Sequence, residues 1–126
     1  FSLGVGALSV VKTSSIVNDP FNGTTNPKRI PGSTILYCVL VSNTGSGPVT
    51  SIVLADTINL PGVYVAGSLR SGSNCANAVI VEDDNNTGAD ESDPIGASFN
   101  GTTVNATAPS LTGGSTIALV YNTTVQ

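Results

Sequence analysis

The sequence predicts an all-β protein, a single β-sandwich of about seven strands that follows a short N-terminal extension. Three observations support this fold class. The 126 residues include no Met and only four Lys and Arg, so strong helix-forming residues are scarce. β-branched residues recur in short runs, and clusters of Gly, Pro and Asn separate these runs as turns do. The length suits one domain that buries a core without help, so we expect no required cofactor.

The clearest strand spans residues 33–42, between Pro31-Gly32 and the Gly-rich segment 43–48. Its side chains alternate between two faces, and neither face is polar. One face carries Ile35, Tyr37, Val39 and Val41, and the other carries Leu36, Cys38 and Leu40. We therefore expect other parts of the protein to cover both faces.

The remaining strands follow from similar apolar runs. We predict one strand over residues 8–13 and five more downstream of residue 42, each bounded by turn residues. The downstream strands span residues 49–55, 63–69, 78–82, 102–108 and 116–125. Short strands at this spacing are typical of a sandwich with Greek-key connections.

Residues 1–7 alternate as a strand does, with one apolar face and one face of small residues. The apolar positions are Phe1, Leu3, Val5 and Ala7, with Ser, Gly and Gly between them. The apolar phase shifts at Leu8, which predicts that the segments before and after it are strands with different partners. We therefore divide the chain into an N-terminal donor strand, residues 1–7, and a sandwich domain, residues 8–126.

A strand of this kind can join a sheet in two ways. In donor-strand exchange, residues 1–7 of one subunit add to the sheet edge of the next, and their side chains fill an apolar groove. Such a head-to-tail contact does not close on itself, so it propagates a fibre. In the alternative, residues 1–7 pair within their own domain. Exchange predicts that other copies of the chain are its main partners. Cell surfaces or abiotic surfaces are possible further partners of the filament.

The order of several short motifs resembles a known module. Pro31-Gly32 precedes the clearest strand, Tyr37 lies within it, Asn43-Thr44-Gly45 follows it, and Asp56 and Leu60-Pro61-Gly62 come next. Over residues 8–126 the chain resembles the conserved-repeat module of prokaryotic surface proteins catalogued as domain of unknown function eleven. The resemblance implies an immunoglobulin-like sandwich, often repeated in long envelope proteins and, in some members, a building block of extracellular filaments.

Two departures from that module point to assembly. Leu36, Cys38 and Leu40 occupy outward positions where the module usually has Thr. In addition, one copy stands alone instead of several. Leu36 and Leu40 are therefore candidates for an interface between subunits.

Several features indicate a secreted protein, extracellular or on the cell surface. The chain starts at Phe1 without a basic and apolar leader, as a mature product does. In that setting its two cysteines predict a Cys38–Cys75 disulfide, with two buried free thiols as the alternative. No stretch predicts a membrane span. Five Asn-x-Ser/Thr sequons are candidates for N-glycosylation, at Asn22, Asn85, Asn100, Asn105 and Asn122.

The composition argues against an enzyme and against nucleic-acid binding. The chain has no His, so neither a Ser–His–Asp nor a Cys–His site can be built. A net charge of −4 with only four cations provides no basic patch for a phosphate backbone. A carbohydrate-binding platform is disfavoured as well, because Trp is absent and only six Tyr and Phe are present.

Two sets of residues could still carry chemistry. Residues 82–93 concentrate the carboxylate and amide oxygens that calcium prefers, and a solvated acidic loop is the alternative. The predicted calcium ligands are Asp83, Asp84, Asp90 and Asp93.

The second set has the residue types of an autocatalytic Lys–Asn isopeptide bond assisted by a buried acid, as in some pilin-like domains. Its members are Lys12, Asp56 and Asn122. An ordinary surface Lys and Asn are the alternative there.

Two functions from different classes fit these features. The first is a structural subunit of an extracellular filament or pilus that polymerises head to tail by donor-strand complementation. The second is a spacer or adhesion module of a larger cell-envelope protein that does not polymerise. Deletion of residues 1–7 separates them, since only the first function requires that segment.

Overall fold

The computed structural model describes residues 4–92 and 95–126. It confirms the predicted all-β sandwich, with nine strands and one short 3₁₀ turn in the described residues. The strands are β1 (Leu8–Asn18), β2 (Thr34–Asn43), β3 (Val49–Thr57), β4 (Gly62–Tyr64), β5 (Arg70–Gly72), β6 (Ile80–Val81), β7 (Gly96–Phe99), β8 (Thr103–Leu111) and β9 (Thr116–Val125). The 3₁₀ turn is Ala89–Ser92. None of the helical structure in the described ranges has the length and apolarity that a membrane crossing needs.

Two antiparallel sheets of unequal width form the sandwich. The first sheet has the order β1-β2-β9-β5-β6, and β4 also pairs with β9. The second sheet has the order β3-β8-β7. β1 therefore lies at one edge of the first sheet, and β3 lies at one edge of the second. An ion pair of 2.8 Å between Lys12 on β1 and Asp56 on β3 links these two edges.

The core lies between the sheets and confirms the predicted inward face of β2. Ile35, Val39 and Val41 are buried, and Tyr37 packs against the same interior. Residues of β9 such as Leu119 and Tyr121 pair with β2 on this face, since directly paired residues point the same way. Val104 and Ala106 of β8 supply the opposite wall.

The outward face of β2 is covered too, as predicted. Cys38 is buried with Ala78, Ala118 and Val120 in a second apolar cluster, and Leu36 and Leu40 are partly buried against it. The loop between β5 and β6 provides this cover. The predicted disulfide from Cys38 to Cys75 in that loop is present, with Cα atoms 5.9 Å apart.

The structure differs from the predicted strands in the middle of the chain. The predicted strand 63–69 is wrong, because β4 and β5 lie on either side of a turn. Gly67 in that turn has a φ of +76°, which breaks an extended strand. β1 extends five residues beyond the predicted end at residue 13, and β6 covers only two of the predicted residues 78–82. β7 was not predicted.

Candidate assembly interface

Residues 4–7 lie along the connection between β2 and β3 of their own domain and join neither sheet. The Ala7 N–H donates to Asn43 Oδ1 at 3.1 Å, and the Thr44 N–H donates to the Ala7 carbonyl at 2.8 Å. The Gly47 N–H donates to the Val5 carbonyl at 3.3 Å. Residues 4–7 therefore form no strand within their own domain, and Phe1 and Leu3 lie outside the described residues. The donor strand to another copy stays a prediction.

Two glycines of the connection allow this close approach. A Cβ atom at Gly45 would collide with the Val5 carbonyl, and one at Gly47 would collide with the backbone of Gly4. Buried Asn43 holds the connection in shape, because its side-chain amide donates to the Gly47 and Leu111 carbonyls at 2.8 and 2.9 Å. The backbone of residues 4–7 is therefore held, while the Val5 side chain is 69% exposed.

The inward face of β1 is only partly covered. Leu8, Val10 and Lys12 pair directly with Asn43, Val41 and Val39 of β2, so they point toward the interior of the sandwich. Val39 and Val41 are 6% and 1% exposed, whereas Leu8 and Val10 are 44% and 53% exposed. The second sheet, with three strands against the six of the first, leaves the inward face of β1 only partly covered.

A cavity of about 160 Å³ opens between β1 and β3, and we call it the β1–β3 seam. Its walls are mostly aliphatic and reach the core at Val39, Val104 and Leu119. Its lining residues are Val10, Lys12, Val39, Leu54, Ala55, Asp56, Val104 and Leu119. Within the described chain, β1 pairs only with β2 and β3 only with β8, so both strands bordering the seam have a free edge.

A polar cluster lies at the Lys12–Asp56 ion pair. The Lys12 ammonium sits 4.8 Å from the centre of the Tyr37 ring, and Tyr37 stacks on Tyr121 at 5.5 Å. The Tyr121 hydroxyl donates to the second oxygen of Asp56. Burial, together with the hydrogen bond to Asp56 and its charge, raises the pKa of Tyr121 well above its usual range. This hydroxyl therefore stays a hydrogen-bond donor across ordinary pH.

The residues predicted for an isopeptide bond do not form one site. Lys12 and Asp56 meet, but Asn122 pairs directly with Leu36 and points to the outward face of the first sheet. The sheet itself separates the Asn122 amide from the Lys12 ammonium. The alternation along β9 could have shown this, because buried Tyr121 next to Asn122 fixes which face each residue takes.

The acidic loop brings together a different set of oxygens from the one predicted. Carboxylates of Asp83, Asp90 and Glu91 lie within 4.8 Å of one another, and Glu91 was not among the predicted ligands. Asp84 instead accepts hydrogen bonds from the Tyr64 hydroxyl at 2.7 Å and the Gly67 N–H at 3.0 Å. Asp93 lies outside the described residues. Calcium binding here stays a prediction.

The five sequons fall into two structural groups. Asn22, Asn85 and Asn100 are exposed in loops, whereas Asn105 and Asn122 are half-buried within β8 and β9. At Asn85 and Asn100, the side-chain oxygen accepts hydrogen bonds from the N–H and hydroxyl of the sequon Thr. These Asx turns hold both sequons at loop surfaces. Glycosylation at any of them stays a prediction.

The candidates Leu36 and Leu40 lie on a surface that is partly occupied. Both side chains are half-buried against the second cluster and the loop that carries Cys75. Their role in an interface between subunits stays a prediction. The sequence did not show which segment covers this face, because the loop between β5 and β6 has no periodic pattern that shows where it packs.

Comparisons with known proteins found no relative of this chain. No protein-family model matches the chain, and neither a curated protein nor a solved structure matches it. The resemblance to the conserved-repeat surface module therefore stays a prediction. The function has to be argued from the geometry and the sequence.

Proposed function

We propose that this chain is the structural subunit of an extracellular filament, in which residues 1–7 of one copy add as a strand to the next copy. The observation that carries the proposal is the state of the described residues 4–7. They belong to neither sheet of their own domain, and Val5 exposes 69% of its surface although the segment alternates in apolar residues. Such a segment gains most by entering an apolar groove.

Strand addition supplies both affinity and specificity in such an interface. Main-chain hydrogen bonds to a free sheet edge give affinity, and alternate side chains in pockets give specificity. Because the donor segment and a sheet edge are different surfaces, copies join head to tail and the contact repeats without closing. The role is structural and needs no catalytic group.

The extracellular location is part of the proposal. The Cys38–Cys75 disulfide supports it, since disulfides persist in oxidising compartments. The exposed Asn22, Asn85 and Asn100 sequons are compatible with the same location.

Electron microscopy of four proteins tests the filament proposal. The full chain is expected to form fibres, and a chain lacking residues 1–7 is expected to stay monomeric. Val5→Asp should abolish fibres as well, because a carboxylate cannot enter an apolar groove at low cost. Val79→Asp is the matched control, since Val79 is 72% exposed on the loop between β5 and β6.

The alternative is a spacer or adhesion module of a larger envelope protein. The Val5 and Ala7 carbonyls accept hydrogen bonds from the Gly47 and Thr44 N–H groups, and the Ala7 N–H donates to Asn43. These bonds favour the alternative, because they hold the segment on its own domain. The full chain and the chain without residues 1–7 would then both be monodisperse monomers at every concentration. That result would support this alternative and rule out the filament.

A further inference from the structure

We infer, resting on the filament proposal above, that the β1–β3 seam is the acceptor for residues 1–7 of a neighbouring copy. In this arrangement the incoming segment pairs with the free edge of β3. It becomes a fourth strand of the second sheet, and its apolar side chains face the inward side of β1. The acceptor is thus a surface of the sandwich, and its occupant is a second copy of the same chain.

The unequal width of the sheets points to this edge. The first sheet places β1 beyond the end of the second sheet, where β3 is the last strand. A strand added to β3 would lie opposite β1 and fill the gap. A strand added to β1 would instead widen the overhang and cover none of its inward side chains.

The exposure along β1 supports the same choice. Val10 and Val11 are neighbours on this strand and are 53% and 52% exposed, but they point to opposite faces. An exposed valine on an outward face is ordinary. Val10, however, points inward like Val41, its buried partner on β2, and it lines the seam. Its exposure therefore reflects a missing opposite strand.

The length of the free β3 edge and the chemistry of the seam fit residues 1–7. From its first residue to the position before Asp56, β3 spans residues 49–55, which equals the seven residues of the donor segment. The Lys12–Asp56 ion pair then bridges the two edges and closes the seam at that point. Along the seam, aliphatic residues such as Val10, Leu54 and Leu119 are suited to the alternating apolar side chains of the donor.

Complementary variants test this assignment in the full chain. Val5→Asp damages the donor segment and leaves the seam intact, whereas Val10→Asp damages the seam and leaves the donor intact. Each variant alone is expected to form no fibres. When they are mixed, the intact donor of Val10→Asp should enter the intact seam of Val5→Asp, giving 1:1 heterodimers by light scattering and no fibres.

Val11→Asp is the matched control, because it places the same charge on the neighbouring outward position with nearly equal exposure. It is expected to form fibres as the unmodified chain does. Leu8→Asp and Ser9→Asp form a second inward and outward pair, and they replace the first pair if Val10→Asp does not fold. Heterodimer formation shows that the Val5→Asp partner, which supplies the seam, is folded, and circular dichroism with urea unfolding checks the fold of Val10→Asp.

The outcomes separate this inference from the filament proposal. Fibres from Val10→Asp comparable to those from Val11→Asp would overturn the seam as acceptor while the filament stands. Loss of fibres in both variants would show that a charge on either face of β1 blocks assembly, and this too would overturn the assignment to the inward seam. An unmodified chain that stays monomeric would reject the filament proposal, and this inference with it.

Discussion

At the scale of single residues, Asp19 has a role that the sequence did not reveal. Its carboxylate is 4% exposed at the end of β1. One oxygen accepts the N–H groups of Phe21 and Asn22 at 2.7 Å, and the other accepts the Lys28 N–H at 2.6 Å and the Asn22 amide at 2.9 Å. One carboxylate therefore shapes the connection between β1 and β2. Nothing in the local sequence distinguishes Asp19 from an ordinary turn residue.

Asp19 also predicts a dependence of stability on pH. Burial alone would raise the pKa of Asp19, but the hydrogen bonds from Asn22, Lys28 and Phe21 lower it well below its usual range. Because the pKa is lower in the folded state, the contribution to stability is complete above the unfolded pKa of about 3.9. This contribution to stability is lost as the pH falls through the pKa of Asp19 in the folded state.

Asp19→Asn should therefore unfold at a lower urea concentration than the unmodified chain at pH 7. The amide has one acceptor oxygen, so its NH₂ group would face donors of Asn22 or Lys28. The difference between the two urea midpoints should shrink as pH falls from 4 toward 2. Asp83→Asn, in the exposed acidic loop, serves as the control. Equal midpoints at pH 7 would contradict the role given to Asp19.

At the scale of elements, the sequence predicts best the strands that have strong alternation and clear flanking turns. The predicted bounds of β9 are those observed, residues 116–125, and β2 begins and ends one residue later than predicted. β7 was missed because Gly96–Phe99 is short, has no β-branched residue and has Phe99 as its only large side chain. In the region 63–69, the αL conformation at Gly67 overrode β-branched residues that favour a strand.

The candidate site was harder to predict, because it depends on how the sheets face each other. The alternation of β1 is that of any half-buried strand, and the exposure of Val10 depends on the strand count of the other sheet. Lys12 and Asp56 are 44 positions apart, and only the edge positions of β1 and β3 bring them together. Local sequence patterns therefore predict neither the exposure of Val10 nor the contact between Lys12 and Asp56.

The disulfide between β2 and the loop before β6 supports a further prediction. It closes a separation of 37 residues, and loop-closure entropy in the unfolded chain predicts a stabilisation of about 3 to 4 kcal/mol. Replacing Cys38 and Cys75 together by Ala should lower the urea midpoint accordingly. The reduced native protein should approach the same midpoint, and a variant as stable as the oxidised chain would contradict the prediction.

At the scale of the whole molecule, the described residues form a sandwich in which a three-stranded sheet faces a six-stranded one. Its own core is closed by the inward residues of β2, β8 and β9, so the subunit can fold before it assembles. The inward face of β1 beside the free edge of β3 stays uncovered at Leu8 and Val10. In the proposed filament, folding and polymerisation use different parts of one structure, so a ligand that fills the seam should stabilise the fold and block polymerisation.

A synthetic peptide of residues 1–7 should therefore stabilise the folded subunit by occupying the seam. The Val5→Asp chain provides a suitable receptor, because its own donor is defective. A ligand that binds only the folded state adds about 2.7 kcal/mol at a concentration one hundred times its dissociation constant. The thermal midpoint should thus rise with peptide concentration. The same peptide carrying Val5→Asp should have no effect, and neither should the native peptide on a Val5→Asp, Val10→Asp double variant. A rise that persists in the double variant would place the peptide elsewhere on the domain.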